Sequence, residues 1–232
     1  MPVTYELRGK VCAIAFDDGK ANVYTPQVLE ELSEAFSRAA GDPEVTAVLL
    51  SGRPGRFSAG FDLATMTSSP EAMRALVAQG GRFVGQLLLH PTPVVAACTG
   101  HALAAGALVL LGADYRVGAS GQFQIGLNEV AIGMPLPTWA VEVARYRMPP
   151  SQFDRVVIGE VTDPEGAVAA GFLDQVVDAE AVLVSAEGMA AKLAERRRGA
   201  VAGTKARARN QVVQRMLEGM EEDLASLAGP TT

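Results

Sequence analysis

Three stretches of the chain carry residues whose types and spacing suit the stabilisation of an enolate: Arg56-Phe57-Ser58-Ala59-Gly60-Phe61-Asp62-Leu63, Gly100-His101-Ala102-Leu103-Ala104-Ala105-Gly106-Ala107-Leu108 and Ile125-Gly126-Leu127-Asn128-Glu129-Val130-Ala131-Ile132-Gly133. In the first two, small residues let a backbone N–H come close to a ligand oxygen. The second opens a helix, whose first amides are unpaired and lie at the positive end of its dipole. Two such donors around one oxygen make an oxyanion hole, each worth roughly 10²–10³ in rate. The same glycines and alanines also serve close packing of strand on helix, and spacing alone does not separate the two uses. The third stretch sets Glu129 among Ile125, Leu127, Val130 and Ile132. Loss of water there raises a carboxyl pKa and strengthens the group as a base. The competing role is a buried ion pair with an arginine such as Arg116.

The elements that must position these stretches follow from local pattern. Val3 to Leu7 and Val11 to Phe16 flank Arg8-Gly9-Lys10 and predict a hairpin. Thr25-Pro26 is a cap and a first-turn proline, which starts a helix running to about Ala40 with Val28, Leu29, Leu32, Ala35 and Phe36 on one face. Val45 to Leu50 reads as a buried strand entering the Arg53-Pro54-Gly55 loop. A helix is expected over Pro70 to Leu89, capped by Ser68 or Ser69, then a strand over Val94 to Cys98, a buried helix over Leu103 to Leu111 and a strand over Tyr115 to Val117. The recurrence of strand, loop and helix predicts an α/β fold with a parallel sheet and covering helices. Beyond Gly133 the pattern turns helical: Thr138 to Arg147, Ser151 to Ile158, Pro164 to Ala170, Ala179 to Arg198 and Ala206 to Leu227. Glu195-Arg196-Arg197-Arg198 reads as a solvated helix end.

Composition bounds the function classes. The chain has 232 residues, 49% hydrophobic and 20% charged, enough for one compact domain with a sizeable core. A net charge of −6 argues against a nucleic-acid partner. Cys12 and Cys98 lie in apolar runs without metal or redox spacing and read as buried reduced thiols, so no metal site is expected. Met1 to Glu6 lacks the layout of a secretory leader, and the apolar window Pro93 to Ala113 is broken by His101 and glycines. A cytoplasmic protein without membrane contact is the expectation.

FSAGFDL, GHALAAGALVLLGADYR and FQIGLNEVAIGMPLP resemble, in order, signature segments of the crotonase superfamily, which includes enoyl-CoA hydratases and Δ3,Δ2-enoyl-CoA isomerases. The resemblance spans about Val3 to Val177. It implies a spiral of ββα units over residues 1–177 that carries a CoA-ester site. It further implies a helical segment over 178–232 that acts as a lid or in oligomerisation, and a homotrimer or dimer of trimers. By motif position, the oxyanion donors are the backbone N–H groups of Phe61 and Ala105, the latter standing where the family has the middle glycine of a triple. Ala59, Gly60, Asp62 and Leu63 would line the CoA cleft, with Leu108 in the substrate pocket; Met134, Pro135, Pro137 and Trp139 are candidates for the wall of the acyl pocket, a position that competes with the core-filling use of aromatic and methionine residues. Arg53 and Arg56 are candidates for phosphate contact. Asp62 is also a candidate to cap the oxyanion loop. His101 and His90 read as a hydrogen-bonded core residue and a helix-end residue.

One departure decides the chemistry expected. Family hydratases carry a glutamate three residues after the oxyanion glycine, and this chain has Leu108 there, whereas Glu129 matches the second family glutamate. Two carboxylates can hold and activate a water; one can move a proton from C2 of a 3-enoyl thioester to C4 while the amides hold the dienolate. The pattern is similar to that of mitochondrial-type isomerases. Isomerase is therefore the leading expectation, with no cofactor beyond the CoA moiety of the substrate. Hydratase and a non-catalytic acyl-CoA binding protein are the alternatives.

Overall fold

The structure, a computed structural model, describes residues 2–227. It begins with the expected hairpin: β1 (Val3–Arg8) pairs antiparallel with β2 (Val11–Phe16), in the register Val3 opposite Phe16. After β3 (Val23–Tyr24) comes α1 (Pro26–Gly41), whose first turn is capped by Thr25 Oγ1 accepting from the Val28 amide at 3.2 Å. Its buried face is Val28, Leu29, Leu32, Ala35, Phe36 and Ala39. Three turns of a spiral then follow. The first is β4 (Ala47–Ser51), β5 (Gly55–Ser58), β6 (Gly60–Phe61), α2 (Leu63–Ser68) and α3 (Pro70–Leu89). The second is β7 (Val94–Cys98), β8 (Gly100–Leu103) and α4 (Ala105–Gly112), and the third β9 (Tyr115–Ala119), β10 (Ile125–Gly126) and α5 (Thr138–Arg147). Next come α6 (Pro150–Val157), β11 (Val161–Thr162), α7 (Pro164–Ala170), β12 (Gln175–Val177), α8 (Val182–Ala194), α9 (Arg198–Leu217) and α10 (Met220–Ala225).

In each turn the first strand joins one sheet and the second strand another. The large sheet runs β1-β2-β4-β7-β9-β12 and is parallel beyond the hairpin. The smaller runs β11-β10-β8-β5, and β3 pairs with β6 alone. Strands β4 and β7 are buried along their whole length, as their unbroken apolar runs require. Val11, Leu49, Val95, Ala97 and Val117 pack with Val182, Ala186 and Ala190 of α8, and the opposite face meets the helices of the main core.

Four readings of the sequence need correction. Leu103 belongs to strand β8, and the helix begins at Ala105, because β8 is held between β5 and β10 and Ala104 turns the chain with φ +50°. The helix expected over Ala179 to Arg198 is a 3-10 turn over Ala179–Ala181 followed by α8, and Ala206 to Leu227 is divided between α9 and α10 by Gly219 at φ +66°. Arg198 is not a solvated helix end. Its guanidinium donates to the carbonyls of Ala40, Asp42 and Val45, closing the C-terminal end of α1. Helix α9 is tied to the core by Lys205 and Arg209, which each meet the Asp114 carboxylate at 2.6 Å.

Candidate active site

The loop after β5 and the entrance of α4 meet at Gly60. A Cβ there would lie 3.0 Å from Ala104 Cβ, 3.1 Å from Leu103 O and 3.4 Å from Ala105 N, and φ is +97°, so glycine is what brings the two backbones together. Ser58 holds the loop: its Oγ donates to Asn22 O at 2.7 Å and accepts from Gly60 N at 3.1 Å. Asp62 N donates to Tyr24 O at 3.0 Å, fastening β6 to β3 along one edge. Strand amides alternate in direction, so the Phe61 N–H faces the opposite edge, where β6 has no neighbouring strand among the described residues.

At the second loop Ala104 occupies the N-cap of α4 with φ +50° and ψ −125°, a conformation an L side chain rarely adopts. Its amide is spent on Gly126 O at 3.0 Å, and its methyl cannot cap the helix. The first-turn amides beginning with Ala105 are therefore left for another acceptor. Thus the Phe61 and Ala105 amides belong to backbone segments that touch through Gly60.

Beside them lies a cavity of about 300 Å³. Of the residues read from the sequence, Ala59, Phe61, Leu63, Leu108, Glu129 and Trp139 line it, and so do Met134, Pro135 and Pro137. Gly60 and Ala105 contribute backbone next to it. Asp62 is turned away into a cap, its Oδ2 accepting from Thr65 N at 2.8 Å and Thr65 Oγ1 at 2.7 Å. Both aromatic walls rest on a glycine pair of α3: the Phe61 ring covers Gly80, and a Cβ at Gly81 would come within 3.0 Å of Trp139 Cδ2. Met66, Val77 and Leu227 also join the wall, as does Asn128 beside Glu129. No spacing in the chain marks the first three; they arrive from α2, α3 and the segment after α10.

Glu129 is 9% exposed and its Oε2 has no hydrogen-bond partner. Burial pushes its pKa up from 4.5 to about 7. The alternative partner, Arg116, is occupied: its Nε lies 2.8 Å from Asp174 Oδ2, and its Nη1 donates to Gly171 O. Of the apolar neighbours read from the sequence, Ile125 and Leu127 are buried and Ile132, 39% exposed, lines the cavity, whereas Val130 is 44% exposed; the rest of the dryness around Glu129 comes from the apolar cavity wall.

The weaker candidates stand apart. Arg53 donates to Lys20 O at 2.7 Å and lies 3.4 Å from Asp17, and Arg56 is not part of the cavity wall. His101 Nδ1 accepts from Gln124 N at 3.0 Å. His90 is buried at the end of α3 beside Thr92 and Phe36 O, and burial lowers its pKa to about 4. Cys12 and Cys98 are buried free thiols. Among the described residues, no group of three or more His, Cys, Asp or Glu could hold a metal ion, and no helix is long and apolar enough to cross a membrane.

The chain as a whole is similar to known proteins. The model of a family described as "Enoyl-CoA hydratase/isomerase" matches residues 6–230. A solved enoyl-CoA hydratase/isomerase family protein from Pseudomonas syringae is 41% identical, with a TM-score of 0.94 over 98% of each chain. Human mitochondrial delta3-delta2-enoyl-CoA isomerase is 28% identical, with a TM-score of 0.92 over 97% of this chain and 90% of that one. The fatty acid oxidation complex subunit alpha of Idiomarina loihiensis is 31% identical over 177 residues, 74% of this chain. The chain spans about a quarter of that protein's length. Other relatives are named as isomerases or as hydratases.

Proposed function

The chain belongs to the enoyl-CoA hydratase/isomerase family, and from that premise we propose that it is a Δ3,Δ2-enoyl-CoA isomerase working with a single carboxylate. The observation that carries the reading is the isolation of Glu129: Leu108 stands in the same cavity wall, and no second carboxylate lines it among the described residues. The thioester oxygen sits between the Phe61 and Ala105 amides. Glu129 takes a proton from C2, the negative charge spreads to the oxygen as a dienolate, and the amides hold it there. The protonated carboxyl then returns the proton at C4. A base whose pKa is near 7 suits both halves, since it accepts a proton at neutral pH and gives it back without a large penalty.

The stretch Ala59 to Leu63 flanks the CoA moiety, and no other cofactor enters the reaction. Assembly as a homotrimer or a dimer of trimers belongs to the same proposal, and light scattering separates the two. Glu129→Gln tests the base. With a 3-enoyl-CoA substrate the rate is expected to fall by roughly 10²–10⁴. An unchanged rate would remove Glu129 from the mechanism. Incubation with 2-enoyl and 3-enoyl esters in parallel, with identification of products, separates double-bond migration from water addition.

A further inference from the structure

Three buried side-chain polar atoms on the residues around the cavity have no hydrogen-bond partner: Glu129 Oε2, Asn128 Oδ1 and Trp139 Nε1. Proton transfer accounts for the first. The other two are an acceptor and a donor that the isomerisation does not use. The cavity wall these two residues share is largely hydrocarbon or thioether, with Phe61, Met66, Val77, Leu108, Met134 and Leu227 in it. Buried polar groups are almost always paired, so two orphans on one apolar cavity require an explanation. The indole is held in place, 1% exposed and seated on Gly81, so it cannot turn its N–H to water. Both residues line the cavity of about 300 Å³, so a ligand that fills it passes beside both.

We propose that the acyl chain this site accepts carries a hydroxyl group, whose oxygen accepts from Trp139 Nε1–H and whose proton is donated to Asn128 Oδ1. The hydroxyl is the smallest substituent that offers an acceptor and a donor on one atom. A keto or ether oxygen would satisfy the indole and leave the amide oxygen bare, and a saturated chain leaves both unpaired. A site with buried polar groups set to meet a hydroxyl rejects the analogue lacking it far more strongly than an apolar pocket rejects an added hydroxyl. The inference rests on the isomerase reading for the reaction that reports it, but not for the binding preference itself.

The experiment compares 3-enoyl-CoA esters of one chain length, unsubstituted or hydroxylated at successive carbons from about C5 to C8, the stretch a cavity of this size can enclose. With the native protein, kcat/KM for one hydroxylated isomer is expected to exceed the parent at least about tenfold, and Trp139→Phe and Asn128→Ala each bring that ratio to near one. Should the tryptophan variant fail to fold, the native comparison and the asparagine variant decide. Equal rates across the set, or a parent faster than every hydroxylated isomer, overturn the proposal. Calorimetric Kd values for the same esters on the Glu129→Gln protein separate the two readings. A retained preference there, with isomerisation undiminished, would refute the base and leave this inference standing, whereas no preference with isomerisation abolished does the reverse.

Discussion

Replacing Glu129 by glutamine should stabilise the protein at alkaline pH while removing its activity, and the size of the effect follows from the burial of the carboxyl. The group is 9% exposed, its Oε2 has no partner, and its pKa rises from 4.5 to about 7. Between those two pH values the folded protein keeps a proton that the unfolded chain has released. Stability therefore falls as pH climbs through the window and levels off above it. A displacement of that size corresponds to about 3 kcal/mol. Glutamine has nearly the same shape and no charge, so its variant escapes this loss. Relative to the native protein, the variant should gain nothing near pH 4.5 and about 3 kcal/mol near pH 8.5. In urea unfolding the gain appears as a higher midpoint with an unchanged slope, and in thermal unfolding as a rise of roughly 6–12 °C for a chain of this length. Any fixed cost of the new amide cancels when the two pH values are compared. A stability difference that does not vary between pH 4.5 and 8.5 would show that the carboxyl is solvated in the folded state, and the argument for a desolvated base would fail with it.

The same displacement sets the activity profile: because the base must be ionised, kcat/KM should rise with pH to a half-maximum near 7, and a limb centred near 4.5 in the pH-rate curve would contradict it. Gly60→Ala places a methyl 3.0 Å from Ala104 Cβ and 3.4 Å from Ala105 N at a φ of +97°, so it pushes the two donor segments apart. A loss of about 10²–10³ in kcat is expected, the worth of one donor, and steady-state kinetics on a variant with native circular dichroism checks it. Ala104→Gly relieves an alanine held at φ +50°, ψ −125°. Strain of about 1–3 kcal/mol is exchanged for glycine's greater freedom in the unfolded chain, so unfolding should show a net gain of about 1 kcal/mol, and a destabilised variant would refute the strain.

The isolation of Glu129 was only half legible in the chain. Leu108 in the second motif and an acidic residue in an apolar run were visible, and both line the cavity. The choice between an unpaired acid and an ion pair was not. It depended on Asp174, 58 residues from Arg116 in the chain, arriving to take the guanidinium. Likewise the two loops proposed as donors could be named from their small residues, but their meeting is a matter of Gly60 packing on Ala104 and Ala105.

What the sequence determined by itself were the elements whose cause is local. Thr25 and Ser69 cap α1 and α3, the periodic faces set the span of those helices, Pro164 and Gly171 bound α7, and unbroken apolar runs mark β4 and β7. Tertiary structure alone decided the short strands: β3, β6, β10 and β11 have two residues each, too few for any periodicity, and exist because partners distant in the chain supply their hydrogen bonds. It also decided that Met66, Val77 and Leu227 enclose one cavity with Glu129. Caps and apolar periodicity act over a few residues and are written in order along the chain. A cavity is bounded by whichever elements the spiral brings together, so its walls and the pKa of the acid inside it are properties of the packed protein.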